Sequence, residues 1–154
     1  MTVSLLAESV AGLQWTAPAG WKTGEARPMR AATYVVDDAE CVVYFFGPGQ
    51  GGGIQANIDR WRSQFSGPGG KPPDAKTAKK TIHGLPVTTV EVAGSYAGMA
   101  GPMGAPAAPK PGYRMRGAII ENPGGNLFLK FTGPAKTVTA NQAKFDQLLN
   151  SFHK

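Results

Sequence analysis

The chain has 154 residues, 42% of them hydrophobic and 17% charged, a balance that excludes a wholly disordered chain and fits one soluble domain large enough to bury a core. Its 21 glycines and 13 prolines gather in a few stretches without a repeat, which excludes a collagen-like chain and marks connections instead. The formal charge of +6 is scattered, and its one local gathering (Lys71, Lys76, Lys79, Lys80) lacks interleaved aromatics for stacking bases, so no nucleic-acid partner is expected.

Taken in order, the start Met-Thr-Val-Ser-Leu-Leu lacks the basic segment and long apolar run of an export signal, and no stretch reaches the roughly 18 apolar residues of a membrane span. The chain therefore reads as soluble, cytoplasmic as written or of the cell envelope if an export signal was removed. Leu5-Leu6 and Leu13-Gln14-Trp15 suggest two short strands, before Ala17-Pro18-Ala19-Gly20 turns the chain between Trp15 and Trp21. Arg30–Val36 and the apolar run Cys41–Phe46 read as a hairpin across Asp37-Asp38-Ala39-Glu40, the second strand belonging to the middle of a sheet. The lone Cys41 then reads as a small buried hydrophobe, and no internal disulfide can form.

Gly47-Pro-Gly-Gln-Gly-Gly-Gly53 follows as a turn, and Ile54, Ile58, Trp61 and Phe65 form one helical stripe with Asn57 pointing elsewhere. Ser66 to Lys80 reads as a loop. Thr81–Gly84 leads through Leu85-Pro86 into a strand over Val87–Ala93, and Gly94 to Gly112 reads as a long irregular loop. Tyr113–Glu121 and Asn126–Thr132 make a second hairpin, with Leu127, Leu129 and Phe131 on one face against Phe128, Lys130 and Thr132 on the other. A final helix begins near Thr139, where Thr139 and Gln142 have capping-box spacing, and carries Phe145, Leu148, Leu149 and Phe152 on one stripe. The expected class is α+β: a central antiparallel sheet of six or seven strands covered by two amphipathic helices, in one domain over residues 1–154.

Catalysis by a nucleophile needs a base and an orienting group, and the only histidines are His83 and the penultimate His153. A Cys41–His83 dyad conflicts with a buried Cys41. Zinc lacks a Cys/His cluster, the acids Asp37, Asp38 and Glu40 lack further calcium ligands, and Met99 with Met103 make a thin copper(I) set, so no cofactor is expected. Glu91 and Glu121 could be a carboxylate pair but read as solvent-facing strand charges. Gly47-x-Gly49-x-x-Gly52 matches a dinucleotide fingerprint between strand and helix, yet the second strand and its acid do not follow, and the glycines read instead as supplying positive φ for a sharp turn. Arg114 and Arg116, two apart on a strand, share a face that could meet an anion or an acidic surface.

Trp15-x-x-Pro18-x-Gly20-Trp21, Arg30-Ala-Ala-Thr-Tyr34, Tyr44-Phe-Phe-Gly-Pro-Gly-Gln-Gly-Gly52, Asn57-x-x-Arg60-Trp61 and Gln64-Phe65 resemble a group of bacterial proteins without an assigned activity. The similarity runs on through Pro111-Gly-Tyr-Arg114, Glu121-x-Pro123-x-Gly125 and Lys130-Phe-Thr-Gly-Pro134. That group in turn resembles the fold shared by the photosystem II extrinsic subunit PsbP and the Ran-binding Mog proteins, which implies an antiparallel sheet between helices and a non-catalytic role in binding macromolecules. The expected function is accordingly a binding or accessory module for a protein partner. Its candidate contacts are Gly49, Gln50, Gly51, Gly52, Asn57 and Arg60 around the glycine turn, Tyr96 beside the long loop, and Arg114 and Arg116. The alternative is a small-anion or nucleotide binder, possibly enzymatic, whose ligand sits on backbone N–H groups where the turn enters the helix.

Overall fold

A computed structural model describes residues 7–97 and 109–154. The first hairpin forms as β1 (Ala7–Val10) and β2 (Leu13–Thr16), joined by Ala11 and Gly12 at φ 55° and 81°, the left-handed pair that a two-residue hairpin turn needs. Leu5-Leu6 lies outside the described residues. After β3 (Lys22–Thr23), β4 (Arg30–Val36) pairs with β5 (Ala39–Tyr44), so the acidic turn is only Asp37-Asp38, and Ala39 and Glu40 already belong to the strand. Helix α1 (Ile54–Ser63) follows the glycine turn and leads to β6 (Phe65–Ser66), β7 (Lys76–Ile82), β8 (Leu85–Tyr96), β9 (Lys110–Ile120) and β10 (Leu127–Pro134). Helices α2 (Ala135–Ala140) and α3 (Gln142–Asn150) close the chain.

The strands pair antiparallel in the order β3-β4-β5-β10-β9-β8-β6, with β7 on the first half of β8, while β1-β2 pair separately. This is the expected α+β architecture. Alternation sends Cys41, Val43, Leu127, Leu129 and Phe131 to one face, where β2, α2 and α3 cover them with Trp15, Val138, Phe145 and Leu148. Trp15 anchors that layer, stacking on Phe152 at 5.0 Å and donating its indole N–H to the Tyr34 hydroxyl at 2.9 Å. The other face carries Val90, Val92, Met115, Ile119 and Phe128 under Ile58 and Trp61 of α1, with Phe65 beside them.

Five local expectations are corrected. Lys76–Lys80 is strand, not loop: Lys76 to Thr81 are exposed on both faces, so no apolar alternation marks β7, and the strand is held by backbone pairing to β8 and a tight turn with His83 and Gly84 at φ 47° and 80°. Gly94–Tyr96 and Lys110–Gly112 extend β8 and β9 rather than starting and ending a loop, because a register shift between Gly94 and Tyr96 absorbs the irregular glycine. Met99 and Met103 lie outside the described residues. Phe65 has left the helix for β6, and Asn57, expected to face outward, is buried. The C-terminal helix is two pieces broken at Asn141, so Thr139 belongs to α2 and caps nothing.

Trp61 fixes how α1 lies on the sheet, and Gly117 of β9 is its seat: a Cβ added there would stand 2.7 Å from Trp61 Cζ3. Gly117→Ala should therefore lower stability by about 1–3 kcal/mol in urea unfolding. Gly53→Ala, where an added Cβ meets no atom within 4 Å, should change it little.

Candidate functional site

Helix α1 does not reach across its whole side of the sheet. Beside it, toward β5, a cavity of about 230 Å³ stays open. Tyr44 and Phe46, stacked at 5.8 Å, form one wall, and Arg60 and Trp61 of α1, with Gln64 just past its end, form the other. The floor is Phe128, tilted against Phe46 at 5.6 Å, and next to it Lys130.

Lys130 reaches this place by the period of its strand: two residues past Phe128, it must face the α1 side. It is only 8% exposed. Its ammonium donates to Gln64 Oε1 at 2.5 Å and to Tyr96 Oη at 2.8 Å, and lies 5.1 Å from the Tyr96 ring centroid. Both acceptors are neutral, and among the described residues no carboxylate lies within ion-pair distance. Burial pushes the Lys130 pKa down to about 8, with Arg60 and Arg30 adding repulsion and Glu40 partly opposing it. The phenols around it are held neutral, since burial raises Tyr96 to about 12 and also raises Tyr44. Tyr96 is itself stacked on Tyr113 at 5.6 Å and packed on Phe65 at 4.9 Å.

The glycine turn shapes one rim. Gly51 sits at φ 97°, and a Cβ there would fall 2.6 Å from Phe128 Cε1, so only glycine lets the turn press on the floor of the cavity. Asn57 Nδ2 donates to the carbonyls of Gly51 and Gly53, both at 2.8 Å, and Asn57 Oδ1 accepts a short hydrogen bond from Arg60. Turn, buried amide and guanidinium thus form one chain that holds Arg60 at the rim. Beyond Arg60 and Phe46 the cavity adjoins an open groove of about 400 Å³ bordered by Met29, Gln50, Gly51 and Gly52. Gly49 lies outside it, lining a separate hollow with Asn122 and Asn126.

Of the residues expected from sequence, Gln50, Gly51, Gly52 and Arg60 border the open groove, Asn57 braces its rim through Gly51 and Arg60, and Tyr96 bonds Lys130 in the adjoining cavity. Arg114 and Arg116 are not. They face the opposite layer, where both contact Glu91 Oε1, Arg114 Nη2 at 2.9 Å and Arg116 Nε at 3.1 Å. The Arg116 contact is a charge contact without hydrogen-bond alignment, since that N–H has no hydrogen-bond partner. Arg116 also pairs with Asp146 at 3.0 Å and lies over Phe145, while Arg114 donates to Thr139 Oγ1 at 2.8 Å, so the two arginines tie β9 to α2 and α3. Glu91 is therefore taken up by arginines, and Glu121 lies past the far end of β9. Cys41 is fully buried with its thiol pushed up by burial, and β10, β9 and β8 separate its strand from the turn holding His83.

Lys130, Tyr44, Phe46 and Gln64 were not singled out by the sequence. The signal for Lys130 was its place in an apolar strand directly between Leu129 and Phe131.

The solution structure of cyanobacterial PsbP from Synechocystis sp. PCC 6803 matches 99% of this chain with 94% of its own, at TM-score 0.61 and 14% sequence identity. The fold is PsbP-like. A crystal structure of PA94 from Pseudomonas aeruginosa, a protein of unknown function titled a putative regulator, matches 97% of the chain with 96% of its own at TM-score 0.47 and 13% identity. No family model and no curated protein matches the chain. At these identities the likeness is one of fold, so the groove on the PsbP-like sheet is judged by its own geometry.

A buried ammonium without an acid weakens the fold at neutral pH. Below about 8 Lys130 is charged in both states and its burial opposes folding; as pH rises from about 8 toward 10.5 the native state loses the proton first, and stability rises. Tyr34 and Tyr96, raised to about 12, act oppositely above pH 10 because the unfolded chain ionises first. Lys130→Met should therefore be more stable than wild type at pH 7, by on the order of 1–2 kcal/mol, and should lose the gain in melting temperature between pH 8 and 10. Lower stability of Lys130→Met at pH 7 would contradict this.

Proposed function

We propose that this protein is a non-catalytic accessory module that works by binding a partner, and that the groove beside α1 is where the contacting group of that partner seats. The observation that carries the reading is Lys130: a charge buried at the floor of an open aromatic groove, hydrogen-bonded to neutral groups but without a carboxylate, is a cost to the free protein that an arriving negative group would offset. The PsbP-like fold is compatible with an accessory role. Among the described residues no helix is long and apolar enough to cross a membrane.

The anion-binding alternative gains support in a changed form. The start of α1 offers an anion backbone N–H groups alone, whereas Lys130 and Arg60 offer two cationic groups facing one cavity. On this reading the negative group seats in the groove, where full positive charges are available, rather than at the start of α1.

A photo-crosslinking residue tests the location. Gln50→benzoylphenylalanine places the probe on the rim, and Lys79→benzoylphenylalanine places it on the exposed edge strand β7. In the native cells a discrete adduct is expected from position 50 and not from 79, and it should disappear when Lys130→Met is added. An adduct that survives Lys130→Met, or one formed only at position 79, would overturn the assignment.

A further inference from the structure

We infer that the group received by the groove is a carboxylate carried on a flat apolar body of about one ring, an inference that rests on the groove being the binding site. Three features of the cavity point to it together: its size, its walls and the bonding state of its ammonium.

An apolar cavity of about 150 Å³ accommodates benzene; this one, at about 230 Å³, has room for a ring and one small polar group. Its walls are ring faces and edges, Tyr44, Phe46, Trp61 and Phe128, against which a flat ring packs in offset or edge-on contact. The polar group is specified by Lys130. Two of its three N–H donors are spent on Gln64 and Tyr96, leaving one, and a single acceptor of full negative charge completes the set.

A phosphate fits these donors poorly. It brings close to two charges and three strongly hydrated oxygens, and the floor of the cavity offers it one cation, Lys130, among aromatic rings. A carboxylate oxygen takes the one free N–H, with its second oxygen directed toward the exposed Arg60 at the rim. The remaining charged groups facing this corner are Arg30 and Glu40, which pair with one another at 3.3 Å and leave Lys130 to the ligand. Such an acid reaches the groove either as a free small molecule or as the C-terminal phenylalanine or tryptophan of a protein, and the chemistry recognised is the same.

The full-length protein, labelled with nitrogen-15, reads this directly through the indole N–H of Trp61 and the side-chain amide of Gln64. The probes are phenylacetate and indole-3-acetate, the neutral 2-phenylethanol, acetate without a ring, inorganic phosphate, adenosine monophosphate, and Gly-Gly-Phe with a free or an amidated C-terminus. The ring acids should shift both signals saturably, at least tenfold more tightly than 2-phenylethanol or acetate. Lys130→Met and Lys130→Gln should each weaken them at least tenfold, and Arg60→Gln should do so by a smaller factor. Tighter binding of the free-carboxylate peptide than of phenylacetate assigns the acid to a protein C-terminus, and the reverse order assigns it to a small molecule. The inference is overturned if phosphate or the nucleotide moves the same signals as strongly, if the Lys130 variants bind the acids unchanged, or if no probe moves them. Crosslinking from position 50 that still depends on Lys130 would in those cases leave the binding reading standing and remove only the carboxylate.

Discussion

Strand β10 runs through the middle of the sheet, paired to β5 on one side and β9 on the other, so each of its side chains is committed to one face by the two-residue period. Leu127, Leu129 and Phe131 go to the layer under α2 and α3 and are fully buried there. Phe128 and Lys130 go to the layer under α1. A slip of one residue would exchange the two sets and put Lys130 in the larger core, a change no neighbour could compensate. The register is therefore strongly fixed, and with it the position of a cation that the chain cannot move back to solvent.

The second layer is arranged around that cation. Trp61 seated on Gly117 sets the height of α1 and decides how far the helix extends over β10. What it leaves uncovered is the groove. Tyr96, held between Tyr113 and Phe65, gives Lys130 an acceptor with no charge of its own, and Gln64 gives the other. The glycine turn, pressed against Phe128 and locked by Asn57, closes the rim. The opposite layer shows the contrasting treatment of charge: Arg114 and Arg116 are given Glu91 and Asp146 and serve to join sheet and helices. Among the described residues, Arg114 and Arg116 are thus paired where they hold the fold, while Lys130 is left without an acid at an open cavity with aromatic walls.

The fold was largely legible because its strong signals are periodic. β4, β5, β8, β9 and β10 announce themselves by apolar alternation or β-branched runs, and α1 and α3 by stripes such as Ile54-Ile58-Trp61 and Phe145-Leu148-Leu149. What escaped had no such pattern. β7 has solvent on both faces and is recruited by pairing with β8, and the break at Asn141 interrupts a helical stripe without a proline or glycine to mark it. Of the site, the glycine turn, Asn57, Arg60 and Tyr96 were visible as residues, and even the face of Lys130 followed from alternation. Its burial did not, because that depends on Tyr96 arriving from β8 and Gln64 from the end of α1, contacts across 34 and 66 residues of sequence that no local spacing encodes.

The most direct measurement is the titration of the Lys130 ammonium itself, followed by nitrogen-15 resonances of lysine side chains in the free wild-type protein, with Lys130→Met to assign the signal. The account predicts an apparent pKa near 8 for this one lysine, below the usual 10.4 for lysine. A Lys130 that titrates near the usual 10.4 for lysine would mean that its ammonium is solvated or paired with an acid, and would contradict the reading of the groove as a site waiting for a negative charge.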